Sequence, residues 1–276
     1  MPEAILVKLG GSLITDKARP ETPRLPVIRR LAEEIARAAA GSGSSGVSGA
    51  HLIVGHGSGS FGHVAAARYG IASGLSAADQ LPGISLTQER AAALHWQVMA
   101  ELLAAGALPF SLAPSSALVT VAGEPVAFGD EPLLLALERG LLPVLYGDVV
   151  LDRGQGVAIC STERLFTLLA RRLPERGIAV RRALWLGETA GVWDEEGRTI
   201  PHLTRADVAA MAGMTGGTIG AAAGTDVTGG MRHRVETALA LADLGITSQI
   251  LDGREPGLLE RALAGEAVPG TVIGPG

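Results

Sequence analysis

The octapeptide His56-Gly57-Ser58-Gly59-Ser60-Phe61-Gly62-His63 places three glycines directly after the apolar run Leu52-Ile53-Val54. It reads as a turn leaving the end of a buried strand. Glycines leave main-chain N–H groups uncovered, a form suited to wrapping an anion. A helix predicted from about Phe61 would aim its positive end at that anion, with His63 in its first turn offering a ring N–H to a phosphate oxygen. Tight turns also need glycine for purely conformational reasons, so this segment alone leaves both readings open. His56 is read as shaping the turn rather than touching a ligand.

A second glycine turn repeats the pattern near the N-terminus. Ala4-Ile5-Leu6-Val7 runs into Lys8-Leu9-Gly10-Gly11-Ser12, so Lys8 stands near a strand's carboxyl end, where open α/β sheets place their ligands. Gly10 and Gly11 let the backbone approach a phosphate, Ser12 adds a hydroxyl, and Thr15-Asp16-Lys17 brings a second lysine. A third turn, Thr225-Asp226-Val227-Thr228-Gly229-Gly230-Met231, opens a helix on which Val235, Leu239 and Ala242 recur at helical spacing. Arg232, His233 and Arg234 crowd its first turn. Positive charge there opposes the helix dipole unless an anion sits among it.

Strands and helices must alternate to hold these turns. The pattern predicts helices over 25–40, 86–105, 131–139 and 163–173, and strands at 108–112, 142–146 and 182–186. Glu124-Pro125-Val126-Ala127 reads as a hairpin arm, and the Gly/Ser run at 41–46 as a surface connector. This frequency of alternation implies an α/β three-layer sandwich around a mainly parallel central sheet. Right-handed crossovers would gather the glycine turns along one sheet edge. The chain is expected to form a single domain over 1–276, with an N-terminal lobe of about 1–150 and a C-terminal lobe of about 151–276.

Composition narrows the function classes. A chain of 276 residues can bury a sizeable core, and a net charge of −5 argues against nucleic acid as the main partner. Cys160 is the only cysteine, so no intramolecular disulfide forms and a reducing compartment is expected. No apolar run is long enough to span a bilayer and no secretory signal precedes the first strand, so a cytoplasmic protein without a membrane partner is expected. The six histidines lack metal-ligand spacing, and no protein-held metal is expected. Asp148, after Gly147, either orients a lysine or caps a turn. His95 and His202 read as satisfied or surface histidines, and Trp185 and Trp193 as packing residues.

In order along the chain, Lys8-Leu9-Gly10-Gly11-Ser12, Thr15-Asp16-Lys17, the octapeptide, Tyr146-Gly147-Asp148-Val149 and Asp226-Val227-Thr228-Gly229-Gly230-Met231 resemble the amino acid kinase superfamily. Gly59-Ser60-Phe61-Gly62-His63 with the early Thr15-Asp16-Lys17 is more narrowly similar to its isopentenyl phosphate kinases. The resemblance implies ATP with Mg²⁺, isopentenyl phosphate as acceptor, isoprenoid precursor synthesis and a homodimer. It makes Lys8, Lys17 and His63 the catalytic set and assigns ATP to Lys8, Gly10, Gly11, Ser12, Gly59, Gly229 and Arg234. Ser58, His63 and Thr162 then hold the acceptor, with Asp148 and Glu163 in support. Ile84 and Leu94 are candidates to line a prenyl pocket. Arg234 stands where many relatives carry lysine, Glu163 where an aspartate is common, and Gly187-Glu188-Thr189-Ala190-Gly191 departs from the usual base-contacting sequence. The stretch Met211 to Gly224 reads as a lid or a linker. Rival readings are a kinase of another small phosphate or phosphonate such as fosfomycin, and a non-catalytic binding module of the same fold.

Overall fold

A computed structural model describes residues 1–40, 49–194, 196–214 and 230–275, with side chains at 210–214 left aside. The connector at 41–46, Gly229 and most of the 211–224 stretch lie outside the described residues. In chain order the elements begin with β1 (Glu3–Leu9), α1 (Gly11–Ile14), α2 (Leu25–Ala40), β2 (Ala50–His56), α3 (Gly59–Tyr69), α4 (Leu81–Ala104), β3 (Pro109–Ser111) and α5 (Pro114–Ala117). They continue with β4 (Leu118–Val121), β5 (Glu124–Phe128), α6 (Glu131–Glu138), β6 (Leu142–Tyr146), β7 (Asp148–Asp152), β8 (Gly156–Cys160) and α7 (Thr162–Glu175). The last are β9 (Ala179–Gly187), β10 (His202–Leu203), α8 (Arg205–Met214), α9 (Gly230–Ala242), β11 (Thr247–Asp252), α10 (Leu258–Leu263) and β12 (Thr271–Ile273).

Eight strands form the central sheet in the order β10-β12-β11-β9-β1-β2-β6-β3. Every pairing in it is parallel except β11 with β12. Side chains alternate across β1, and that alternation builds the three layers. Ile5, Val7 and Leu9 share one buried cluster with Ile28, Leu31 and Ile35 of α2 and Leu94, Val98 and Leu102 of α4. Ala4 and Leu6 face the other way, into a cluster with Leu165, Phe166 and Leu169 of α7 and Val235 and Ala238 of α9. Strand β1 has β2 on one side and β9 on the other, so the chain reverses its direction of winding there. Ligand sites of open α/β sheets lie at the carboxyl ends of such strands.

A buried carboxylate joins two of the covering helices. Glu34 of α2 accepts from the N–H groups of Gly257, Leu259 and Glu260 at 3.0, 3.2 and 3.4 Å, so a side chain from one helix caps the start of α10.

Several boundaries differ from the sequence reading, β9 for instance beginning at Ala179 rather than 182, and three differences near the site stand out. Helix α4 starts at Leu81 rather than near 86, with Pro82 in its first turn, where proline's missing N–H costs nothing. Helix α3 starts at Gly59, so His63 is its fifth residue and stands past the first turn. The strand expected to end at Gly147-Asp148 is followed at once by β7, which pairs antiparallel with β8 and joins a second sheet, β5-β4-β7-β8. Residue 150, where the expected N-terminal lobe ends, lies within β7. Asp152 ties this small sheet together by accepting from Thr120 Oγ1 and the N–H groups of Ala122, Gly123, Gly154 and Gln155. Burial would raise its pKa, but these donors outweigh it and hold the carboxyl well below the usual range.

Candidate active site

The two N-terminal glycine turns are packed backbone against backbone. A Cβ on Gly11 would stand 2.7 Å from the Gly59 nitrogen, and one on Gly57 would stand 2.9 Å from the Gly11 nitrogen. Gly59 adopts φ +51°, and a side chain there would run into Thr15. Glycine is thus required here by contact between the turns, whatever they bind. Thr15 is the bolt: its hydroxyl donates to Gly11 O at 2.8 Å and accepts from Ser60 N–H at 3.1 Å. Reading the sequence for charge passed over Thr15 in favour of its neighbour Lys17. The signal was a buried-type threonine directly after a glycine turn.

Lys8 continues the Ala4–Leu6 row of β1 beyond the last apolar layer, so it points towards α7 and α9. Its ammonium bonds to Glu163 Oε1, and both side chains are buried. Gly55 makes this meeting possible. A Cβ at that position would overlap Thr162 and Phe166, so only glycine lets the first turn of α7 lie on β2. Burial would raise the Glu163 pKa, but the Lys8 charge and hydrogen bond reverse this and hold it at about 2. Lys8 is lowered, chiefly by burial and further by Arg234, against the pull of Glu163. Arg234, also buried, reaches over Gly187 at the end of β9; a Cβ there would stand 2.8 Å from its guanidinium. Glu163 is therefore the direct partner of Lys8, a contact that sequence spacing could not reveal.

A cleft of about 680 Å³ opens where these parts converge. Lys8, Gly10, Gly11, Ser12, Lys17, Ser58, Gly59, His63, Thr162, Glu163 and Arg234 all line it, so the structure brings together most of the sequence candidates. The N-termini of α3, α7 and α9 open onto the same space through Gly59, Thr162 and Gly230. Their positive dipole ends join three cationic side chains, which suits an anion carrying several charges. Val64 and Ile159 provide an apolar stretch of wall. His63 is exposed at the mouth, and partial desolvation followed by the Lys8 charge lowers its pKa.

Several residues sit differently from their expected roles. Thr162 spends its hydroxyl proton on His56 O at 2.7 Å. Asp148 accepts from Ser115 N–H at 3.3 Å and Val149 N–H at 2.8 Å, so it caps α5 across the sheet instead of meeting a lysine. Leu94 is fully buried in the α2-side core and lines no cleft. Ile84, like Ile159 of the cleft wall, packs against the apolar cluster of Ala66, Ile71, Val149 and Val157, and does not itself line the cleft. Ser161 and His233 also line the cleft, although the sequence assigned neither of them a role beyond His233's place in the basic first turn of its helix. Ser161 caps α7 by accepting from Arg164 N–H at 3.3 Å, and its hydroxyl lies 3.4 Å from His233 Nε2. Trp185 is buried against Phe166, as a packing residue would be. Among the described residues no three carboxylate, histidine or cysteine side chains form a metal-holding group, so a divalent cation here would depend on ligand oxygens and water. No described helix is long and apolar enough to cross a membrane.

Comparison with known proteins gives one consistent result. Residues 3–252 match the amino acid kinase family. The chain is 36% identical to an isopentenyl phosphate kinase of Methanothermobacter thermautotrophicus over 283 aligned positions, covering 98% of each chain. It is 34% identical to the isopentenyl phosphate kinase of Haloferax volcanii, again covering 98% of each. A crystallographic isopentenyl phosphate kinase superposes with a TM-score of 0.77 at 31% identity, covering 98% of this chain and all of that one.

Proposed function

The chain belongs to the amino acid kinase family, and from that premise we propose that it phosphorylates isopentenyl phosphate to isopentenyl diphosphate, with ATP as donor. The observation that carries this reading is the meeting of Lys8 and His63 in one cleft that is cationic at one end and apolar at Val64 and Ile159. Full-length similarity to isopentenyl phosphate kinases supports it.

Phosphoryl transfer asks the protein mainly to position two anions and neutralise charge on the group in flight. An ammonium has three donors. One on Lys8 is committed to Glu163, which leaves two for the transferring phosphoryl oxygens. Glu163 thereby aims Lys8 and keeps it from folding back onto the sheet. Arg234 and the Gly10-Gly11-Ser12 turn hold the donor phosphates, and Lys17 offsets charge from the exposed side. His63 donates a ring N–H to the acceptor phosphate, with the Ser58 N–H beside it. The Val64–Ile159 wall receives the prenyl tail. A divalent cation such as Mg²⁺ would be held chiefly by the nucleotide's phosphate oxygens and water, and would supply further charge neutralisation there. No general base is needed, because a phosphate monoester is already an anionic nucleophile near neutral pH.

Two further parts of the proposal concern the chain as a whole. Trp96 and Leu103, seven residues apart on α4, are exposed beside Leu108 and Phe110 at the unpaired edge strand β3. An apolar edge of this kind calls for a cover, and a second copy of the chain is proposed as that cover. A cytoplasmic location is also part of the proposal, supported by the lone cysteine and by the charged small-molecule substrates. The test of function is phosphorus-31 NMR of a reaction holding ATP, Mg²⁺ and isopentenyl phosphate. Two coupled resonances of an alkyl diphosphate should grow as the monophosphate signal falls. Loss of ATP signal without a new diphosphate would remove the proposed acceptor.

A further inference from the structure

Behind the octapeptide lies a buried polar chain that the transfer chemistry does not use. His56 Nδ1 is 3.1 Å from Gly57 O, His56 Nε2 is 3.0 Å from His95 Nδ1, and His95 Nε2 is 2.8 Å from Ser111 Oγ. Four groups on β2, α4 and β3 are thus linked in series. The His56 and His95 rings are nearly parallel, their planes 17° apart, and Tyr146 lies over His95 with ring centroids 4.2 Å apart. Burial holds both imidazoles neutral, His56 at about 4 and His95 at about 3.

Those facts leave one arrangement of protons. A carbonyl oxygen only accepts, so His56 carries its proton on Nδ1 and gives it to Gly57 O. A neutral ring has one N–H, so His56 Nε2 must accept, and the proton between the rings belongs to His95 Nδ1. His95 Nε2 then accepts from the Ser111 hydroxyl. Every donor in the chain points the same way, from β3 towards the glycine turn.

The end point matters because of peptide geometry. The Gly57–Ser58 bond is trans, and in a planar trans peptide the C=O and the following N–H point in opposite directions. Holding Gly57 O inwards, on the His56 side, turns the Ser58 N–H outwards. The Ser58 nitrogen is 3.6 Å from where a Cβ on Gly147 would stand, and both residues line the cleft. Among the turn's other hydrogen bonds, Gly57 N–H donates to Leu9 O at 3.1 Å, His56 O accepts from Gly147 N–H at 2.9 Å and Thr162 Oγ1 at 2.7 Å, and Ser58 O accepts from Phe61 N–H at 3.1 Å. These hold the flanking peptides, and none engages the Gly57 carbonyl or the Ser58 N–H.

We infer that Ser111, His95 and His56 form a one-directional hydrogen-bond relay that sets the Gly57–Ser58 peptide plane and so aims the Ser58 N–H at the acceptor phosphate. His56 and His95 are then positioning residues for the acceptor half of the cleft, and the inference rests on the reading of that half given above. The donor half, built on Lys8, Arg234 and Gly10-Gly11-Ser12, does not touch the relay.

The test uses the full chain and three readouts. Nitrogen-15 NMR of the histidine-labelled wild type should find His56 protonated on Nδ1 and His95 on Nδ1; a proton on His56 Nε2 overturns the relay whatever the enzyme phosphorylates. His56→Phe keeps a ring against Tyr146 but removes the donor, and Ser111→Ala releases the far end. Losing one oriented hydrogen bond should raise the KM for isopentenyl phosphate roughly tenfold in His56→Phe, and less in Ser111→Ala, with the KM for ATP little changed. An equal rise in both KM values, or an unchanged acceptor KM in folded His56→Phe, overturns the inference. Should His56→Phe fail to fold, Ser111→Ala decides: a fixed His95 tautomer together with an unchanged acceptor KM overturns it. Wild type that turns over ATP with some other acceptor would instead sink the functional reading, and the NMR result would stand apart from that failure.

Discussion

At Lys8 stability and chemistry make opposite demands. The four residues of β1 between Glu3 and Lys8 are apolar and buried, and the strand then commits a charged group to the same protected layer. Glu163 meets that charge, so removing Lys8 has two separable effects. Lys8→Met should destabilise folding by roughly 3 kcal/mol, because it leaves a buried carboxylate without its partner. Adding Glu163→Gln should restore most of that stability and none of the turnover. Urea unfolding beside steady-state rates separates the two; a double variant as unstable as the single one would deny the pairing. His63 makes the contrasting case, since it is exposed at the cleft mouth and holds nothing together. His63→Ala should leave the melting temperature near wild type while turnover falls by about two to three powers of ten, the usual effect of losing a preorganised donor. His63→Gln should recover part of that loss through its amide N–H. Near-normal turnover in the alanine variant would take His63 out of the acceptor site.

The helices and strands also titrate, through the histidines that link β2 to α4. His56 faces His95 from α4 and Tyr146 from β6, and His95 faces His56, Tyr146 and Ser111; no other titratable group is in ring or hydrogen-bond contact with either among the described residues. Both folded pKa values, about 4 and about 3, lie below the ordinary 6.5, chiefly through burial. The unfolded chain therefore binds more protons than the folded one between those limits. Stability from this pair is complete above pH 6.5 and declines as pH falls, by about 1.4 kcal/mol per pH unit for each histidine at most. Unfolding free energies of wild type and His95→Gln from pH 7.5 to 5 should show the steeper slope in wild type, and parallel slopes would contradict it. The elements themselves were largely legible in sequence. Helix α2 falls at the expected residues because its apolar periodicity is clean, and strand β6 because it is a short continuous apolar run bounded by glycines. The β7–β8 hairpin has no counterpart in the sequence reading, because each arm is only five residues long and Gly147-Asp148 at its start reads as the exit of the preceding strand. The Lys8–Glu163 and His56–His95 contacts were invisible for another reason: they join residues 155 and 39 positions apart, and only the packing of helices onto the sheet decides them. Gly55 shows the same limit, since its lack of a side chain has meaning only once α7 lies across it.

At the scale of the whole molecule, the eight-stranded sheet collects parts from distant stretches of sequence at the carboxyl ends of β1, β2 and β9. The helices α3, α7 and α9 then bring their N-termini to that edge. The same sheet leaves β3 as an open edge beside exposed Trp96 and Leu103. Phe110→Asp should therefore shift the molar mass in light scattering from two chains to one, and an unchanged mass would place any interface elsewhere. The cleft has one cationic end and one apolar wall, so its selectivity should reside in the acceptor. That central claim is tested most directly by kcat/KM for ATP-dependent phosphorylation across isopentenyl phosphate, dimethylallyl phosphate, fosfomycin, glutamate and carbamate. The account predicts turnover with isopentenyl phosphate at least about a hundredfold above the two carboxyl or carbamoyl acceptors, because His63 and Ser58 N–H address a phosphate those acceptors lack. Comparable or greater turnover with glutamate or carbamate, or none with isopentenyl phosphate, would contradict it.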